Sequence, residues 1–508
     1  MENHFTSLDC IVLLVYLVGT TALGMWLGRD QKDAKDYFVG NGAIPWWAIL
    51  FSIVATETSA LTFISIPGIA YLGDLSFLQV TLGYLLGRIV IAYTLLPRYY
   101  GGEMVTAYAL LQKRFGLPTR RFASITFMAT RVFGDSVRVF ATAIPITFII
   151  GPLVPAEWVS PLSILVLGAF TLLYTYHGGM RAVVWTDVLQ TFVYLLGGIA
   201  ALVLLGRGVD GGWNAILSSA ADSGKLRVFD LYLGIDKPFT LLAGILGGGF
   251  LAMASHGTDQ LIVQRLVAAS SLKHAQRALI GSGVFVIAQM ALFLLIGTGL
   301  FSFYKGQSFA SPDSIFPKFI IETMPAGMTG LVIAAILAAA MSTVSGALNS
   351  LSAATLHDIY LPLRGQPKDD ATLLRLSKLF TLLWAIVLIG GALMFKDHKT
   401  PVVTVALSVA SFTYGGLLGG FFLGILCPRA QQRDAILGMS VGISLMIVVV
   451  FSKSLQEFVP ALKPVALIAW PWYVLIGTAI TFGTGAASAF LAPAQGRLEQ
   501  RPAPETAA

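Results

Sequence analysis

Residues 46–71 read WWAILFSIVATETSALTFISIPGIAY. The run is long enough to cross a hydrocarbon layer, which takes about 20 apolar residues. Its middle, Ala55-Thr56-Glu57-Thr58-Ser59, is polar, and Pro67-Gly68 follows within the same run. Backbone groups freed by such interruptions are tolerated in a membrane only against protein or a water-filled cavity. A second stretch has the same build: GILGGGFLAMASHGTDQLIVQR at 244–265 carries three consecutive glycines and a polar segment from Ser255 to Gln260. Carbonyls freed at mid-membrane suit a small hard cation, which gathers about six oxygens. Proline and glycine kinks are also common as purely structural devices, so either stretch taken alone leaves both readings open.

The rest of the chain fits the same solvent. Of 508 residues, 56% are hydrophobic and 12% charged, where a soluble domain carries about 25% charge. Mean hydropathy is +0.78. That balance excludes a soluble enzyme, a disordered protein and a disulfide-stapled module. Cys10 and Cys427 lie too far apart to make a motif, and the 52 glycines suit helices packed closely in a bilayer. Thirteen apolar spans are expected, near 8–28, 44–72, 75–97, 121–150, 158–177, 184–206, 238–264, 278–304, 326–358, 374–395, 401–427, 434–452 and 467–491. The fold class is an all-α polytopic membrane protein.

Charge sets the orientation. With the N-terminus outside, 20 of the 33 Lys and Arg fall in cytoplasmic segments, Arg265 among them, and 10 in external ones. The positive-inside rule then predicts N-out, C-in, in the cell (inner) membrane. The net charge of +7 reflects this topology and not nucleic-acid binding. No basic residue precedes the first span, so it is not a signal peptide, and 492–508 reads as a disordered cytoplasmic tail. The two interrupted spans open blocks of five helices each, 44–206 and 238–427, the arrangement expected of an inverted-repeat transporter. Around them lie an extra span with its loop at 1–43, an external loop at 207–237 and two further spans at 428–491.

Three basic residues remain inside spans, Arg88, Arg131 and Arg138, with Glu57, Asp135, Asp187 and Asp259 as the acids at depth. Intramembrane charges are costly and mark ion pairs or cavity-facing groups. Asp187, one to two turns into the sixth span, needs either an arginine or a bound cation. The ninth span sets Ser342, Thr343 and Ser345 beside an alanine run; such hydroxyls commonly back-bond to the preceding turn, with ion binding the alternative. On the fourth span, Asp135 stands four residues from Arg131 and three from Arg138, spacings that share one helix face. One carboxylate balances one guanidinium, so one of the two arginines is left as a spare cation. Its partner is then Glu57, Asp187 or a solute carboxylate gripped through two parallel hydrogen bonds.

Three motifs resemble the sodium/solute symporter family of sugar, proline, pantothenate, sialic acid and monocarboxylate carriers. They are GGMRAVVWTDVLQ at 178–190, AAAMSTVSGALNSLSAATLHDIY at 338–360 and TDQLIVQR at 258–265. The resemblance covers roughly residues 8–430 and implies a LeuT-like inverted repeat of five plus five helices. It implies a sodium site on the carbonyls of Ala55, Thr58 and Ala339 and the hydroxyls of Ser342 and Thr343. A second sodium on Asp187, Ser342 and Ser345 is implied for some members, although Gly346 stands where a further serine belongs. Glu57 replaces the Asn of sugar carriers and the Asp of proline carriers, and Thr81 and Val286 fall where sugar carriers keep Glu and Lys. Ser59, Thr62, Phe77, Gln79 and Arg138 match the pocket of the sialic-acid carriers, and some sugar carriers keep an Arg/Asp spacing like that of Arg131 and Asp135, which implies that pair and leaves Arg138 as the spare cation.

The expected function is therefore sodium-coupled import of a small polar solute across the bilayer. A carboxylated solute (sialic acid, sugar acid, amino acid or monocarboxylate) stands beside a neutral sugar or polyol, and beside a sodium-independent facilitator. An enzyme is not expected: the chain lacks HExxH and GxSxG, and no two of the six histidines sit at ligand spacing. His256 beside Asp259 reads as polar cavity lining, which makes Asp259 a candidate substrate contact. A fused signalling domain is not expected after the last span. Oligomeric state is not legible.

Overall fold

Hydropathy, caps and breaks locate the helices. The computed structural model describes residues 6–29, 33–40, 44–58, 60–101, 104–151, 154–309, 311–365, 369–394 and 402–491. The expected tail at 492–508 and Ser59 lie outside the described residues. The principal helices are α1 (Ser7–Leu27), α2 (Trp46–Glu57), α3 (Ala60–Leu72), α4 (Leu78–Thr94), α5 (Leu117–Ile150), α6 (Ala156–Gly208) and α7 (Gly249–Gly257). They continue with α8 (Gln260–Val267), α9 (Leu272–Phe303), α10 (Met328–Ala354), α11 (Asp370–Met394), α12 (Val402–Leu426), α13 (Gln432–Leu455) and α14 (Trp472–Leu491). Among the described residues there is no strand, and the isolated bridge Ile44–Ala269 is the only β pairing.

Seven of the described helices are long and apolar enough to cross a membrane, or eight when the bent pair α2/α3 counts as one span. The span expected at 401–427 falls on α12, and the remaining ones fall on helices that are charged, short or broken. α5 carries Arg131, Asp135 and Arg138, α4 has 17 residues, and the seventh span is divided into a π-helical turn Ala243–Gly248, α7 and α8. The fifth and sixth expected spans share α6, which turns at Gly179 with φ of 50°, a conformation that a side chain would strain.

The two broken spans are as the sequence suggests. α2 ends at Glu57, where Thr58 leaves the helix with extended backbone, and its axis meets the following segment at 64°. α7 ends at Gly257, and Asp259 caps α8 by accepting from Leu261 N. Packing around the breaks is tight enough to require glycine: a Cβ on Gly83 of α4 would fall on the Gly244 carbonyl. Above them, Phe63 of α3 stacks on Phe316 at 5.3 Å and meets Phe293 of α9 edge-on at 5.0 Å. α10 is buried along its length, as its small residues predict. Asp9, fully buried, ties α1 to the start of α10 by accepting from Gly327 N at 2.8 Å and Gly330 N at 2.7 Å, anion recognition at a helix N-terminus.

Candidate functional site

The last carbonyls of α2 have no helical partner because the helix stops at Glu57. They carry the negative end of the helix dipole, which favours a cation. α10 runs across this break. Its Thr343 Oγ1 lies 3.5 Å from the Thr56 carbonyl and also back-bonds to Ala339 at 3.2 Å. Ser342 Oγ is buried beside the Asp187 carboxylate and makes no hydrogen bond of ordinary geometry. Ala55, Thr58, Ala339, Ser342 and Thr343 are all buried. The broken helix and the ninth span thus meet at Thr56 and Thr343, with Ala55 and Thr58 flanking that contact along the chain. Oxygen donors are what a hard cation requires, so this donor set suits sodium. Thr58 is held in place by Gln289 of α9, whose Nε2 donates to Thr58 Oγ1 at 2.5 Å.

Asp187 of α6 is fully buried beneath this set. Its Oδ2 accepts from Ser52 Oγ of α2 at 2.5 Å and from Arg265 Nη2 of α8 at 3.1 Å, while Oδ1 has no partner. Arg265 Nε also reaches Ser52 Oγ at 2.8 Å. Arg265 stands at the edge of the seventh expected span; its side chain is 1% exposed and serves Asp187. The span edge at 264 missed it by one residue. Gly346 has a physical reason here: a Cβ would stand 2.6 Å from Arg265 Nη2, so the guanidinium occupies the space of the missing serine. Ser345 back-bonds to the Ser342 carbonyl at 3.0 Å.

On the solute side, the expected charge assignment changes. Arg131 pairs with Asp259, and Tyr414 of α12 bridges the two, donating to Asp259 at 2.7 Å and accepting from Arg131 at 2.9 Å. Asp135 is then 3.0 Å from Arg138 and 3.6 Å from Arg131. Arg138 is therefore not a spare cation, and neither Glu57 nor Asp187 is its partner. Glu57 pairs instead with Arg88 of α4, with His256 Nε2 at 3.7 Å, and Arg88 Nη1 donates to Ser282 at 3.3 Å. Counting Arg265, these four arginines face these four acids, and each of the eight has an opposite neighbour. Arg88 and Arg265 were the residues sequence reasoning left without a role, and matching arginines to acids one by one would have found both.

Exposure separates these groups. The Glu57 and Arg138 side chains keep 18% and 24% exposure, whereas Arg88, Arg131 and Arg265 are at most 6% exposed. Thr62 is half-buried on α3. Phe77 is buried against Phe239, ring to ring at 5.4 Å. Gln79 is fully buried and bonds backbone: its Nε2 donates to Ser76 and Phe239 carbonyls, and Oε1 accepts from Asp230 N at 3.1 Å. Asp259 is likewise engaged by Arg131, Tyr414 and Leu261 N. Beside Gln79, the connection at Asp74 is clamped by Arg227 at 2.8 Å. Burial would raise the Asp74 pKa, but hydrogen bonds from Ser76 and Arg227 outweigh it and hold it below the usual carboxylate value.

Comparison with known proteins gives consistent matches. The model of the sodium:solute symporter family matches residues 37–442. The sodium/sialic acid symporter NanT of Aliivibrio fischeri is 29% identical over 463 residues, 90% of each chain. The sodium/sialic acid symporter SiaT of Proteus mirabilis is 29% identical over 469 residues, 90% of this chain and 92% of its own. Among solved structures, the substrate-bound outward-open state of a Na+-coupled sialic acid symporter superimposes with a TM-score of 0.84 at 27% identity, covering 96% of this chain and 99% of that one.

Proposed function

This chain belongs to the sodium:solute symporter family, and from that premise we propose that it couples inward sodium flow to import of a small carboxylated solute. Sodium is held by the Ala55, Thr58 and Ala339 carbonyls with the Ser342 and Thr343 hydroxyls. The observation that carries this is the Thr343 hydroxyl meeting the broken helix at the Thr56 carbonyl, beside the buried Ser342 hydroxyl. In this reading the thirteen spans form inverted repeats at 44–206 and 238–427, with the N-terminus outside and the C-terminus cytoplasmic. Sodium stabilises the outward-open arrangement, and the coupling amounts to ~1–3 kcal/mol of differential binding.

A second sodium would use Asp187, Ser342 and Ser345. The partnerless Asp187 Oδ1 supports it, while Arg265 already supplies that carboxylate with a cation, which makes this site the weaker of the two.

For the solute, Glu57, Ser59, Thr62, Phe77, Gln79, Arg138 and Asp259 form the proposed contact set. Arg138 is the most exposed of the intramembrane arginines and is the group to receive a carboxylate. The sialic acid carriers among the relatives favour a sugar acid. A neutral sugar or polyol is the second reading, favoured by the 3.0 Å pairing of Arg138 with Asp135, which satisfies the guanidinium without a solute. Uptake into proteoliposomes under an imposed sodium gradient, screened over sugar acids, amino acids, monocarboxylates and neutral sugars, tests both. Arg138→Lys keeps the charge and loses the fork. It should weaken apparent affinity for an acidic solute about tenfold or more, as expected for a lost charge-assisted bond, with sodium dependence retained. Transport of a neutral sugar, unaffected by Arg138→Lys, would establish the second reading. Sodium-independent entry that stops at equilibration, without accumulation, would leave only a facilitator.

A further inference from the structure

A groove of about 450 Å³ opens on the outer side of three spans, away from the sodium and solute residues. Ile125, Met128, Val132 and Phe133 of α5 line one wall, Ile359 and Trp384 the other. The four α5 residues are spaced along one helix face. Ile125 and Phe133 are 56% and 64% exposed, as residues facing lipid should be. Trp384 spends its indole N–H on Thr355 Oγ1 at 2.8 Å, so the ring offers the groove only apolar surface. The lining would take a hydrocarbon chain and offers nothing to a polar solute.

The mouth of the groove has the opposite chemistry. Arg121 lies four residues before Ile125 and continues the same stripe of α5 to its cytoplasmic end. Its Nη2 donates to the Pro362 carbonyl at 3.4 Å, just past Ile359, and this uses one of five guanidinium donors. Arg364, two residues on, is exposed. Asp358, the acid of the same turn, is already held by Arg120 at 2.6 Å and Thr106 at 2.5 Å, so it does not neutralise the mouth. An apolar trough ending at two guanidinium groups fits a ligand that is a long chain with an anionic head. Basic pockets between spans on the cytoplasmic side bind anionic lipid headgroups. A second copy of the chain fits less well, because a two-fold contact would bring the same arginines together.

We infer that this groove is a specific site for an anionic phospholipid of the cytoplasmic leaflet, with one acyl chain along α5 and the headgroup phosphate at Arg121 and Arg364. The side of the membrane rests on the orientation proposed above; the chemistry of the groove does not. The test is native mass spectrometry of the full chain in detergent, with phosphatidylglycerol or phosphatidylcholine added. Wild type should retain one phosphatidylglycerol about tenfold more readily than phosphatidylcholine, the scale expected for two basic contacts. Arg121→Gln with Arg364→Gln should bring the two lipids level. Ala129 also lines the groove, and Ala129→Trp, which fills it from α5, should remove the adduct from protein with an unchanged melting temperature. Equal retention of both lipids by wild type, or an adduct that survives both variants, overturns the site. So does a dimer that Ala129→Trp dissociates. Retention is read without transport, so failure here is distinguishable from failure of the symport reading.

Discussion

Ser342 and Thr343 sit next to each other on one helix, yet they meet different partners. Thr343 reaches across to α2, and Ser342 ends in a buried position beside the Asp187 carboxylate. If they ligate sodium, Thr343→Ala should raise the half-saturating sodium concentration about tenfold, the loss expected for one hydrogen-bond-scale contact to a charge. Unchanged sodium dependence of uptake in a well-expressed Ser342→Ala/Thr343→Ala double variant rejects the site. Asp187 is a different case, because it also balances Arg265. Asp187→Asn alone strands that guanidinium and should cost ~3–5 kcal/mol, seen as a lower thermal midpoint in detergent. Adding Arg265→Gln should restore much of the lost stability, since the two residues act as one unit. A double variant no more stable than Asp187→Asn would show that the pair is not what holds Asp187 in place.

At the scale of elements, the seventh span carries the clearest mechanical role. Its break separates His256, which faces Glu57 on α2, from Asp259, which is tied to Arg131 on α5 and Tyr414 on α12. The two halves of one span are therefore fastened to different parts of the bundle. Any motion of the broken span relative to α5 has to open the Arg131–Asp259 contact. Tyr414→Phe removes the bridging hydroxyl and keeps the ring. One hydrogen bond of ~1 kcal/mol should quicken hydrogen exchange across Gln260–Val267 about fivefold, with little change in sodium affinity. Exchange at the wild-type rate would place the fastening elsewhere.

For the whole molecule, the organising fact is charge neutrality inside the apolar body. Glu57 with Arg88, Asp135 with Arg138, Asp187 with Arg265 and Asp259 with Arg131 cancel in pairs, so the barrier to holding them in a low-dielectric interior stays small. The remaining Lys and Arg are biased about two to one toward one face in the proposed topology. That bias predicts sidedness. In inside-out and right-side-out vesicles, a cysteine at Lys305 should react with an impermeant maleimide from the outside, and one at Gln431 from the cytoplasmic face, in a background where Cys10 and Cys427 are replaced. The reverse pattern would invert the proposed topology.

Hydropathy alone determined the solvent, the all-helical class and the positions of both broken spans, because each depends on local composition: about 20 apolar residues, or a polar and glycine-rich gap within them. The three motifs were enough to point to the family, and one of them holds Thr343, which meets α2 at its break. Which charge pairs with which was decided only by the tertiary structure. Asp135 has two arginines within a helical turn, and the sequence ranks them equally. Asp259, 128 residues from Arg131 along the chain, breaks the tie. In the same way, Gly346 reads as a missing ligand until Arg265 is found in its place, and only the fold shows that the Gln79 amide holds the backbone of the external loop. Electrostatic pairing inside a membrane acts across space between helices that are distant in sequence, so the list of buried charges is local information but their partners are not.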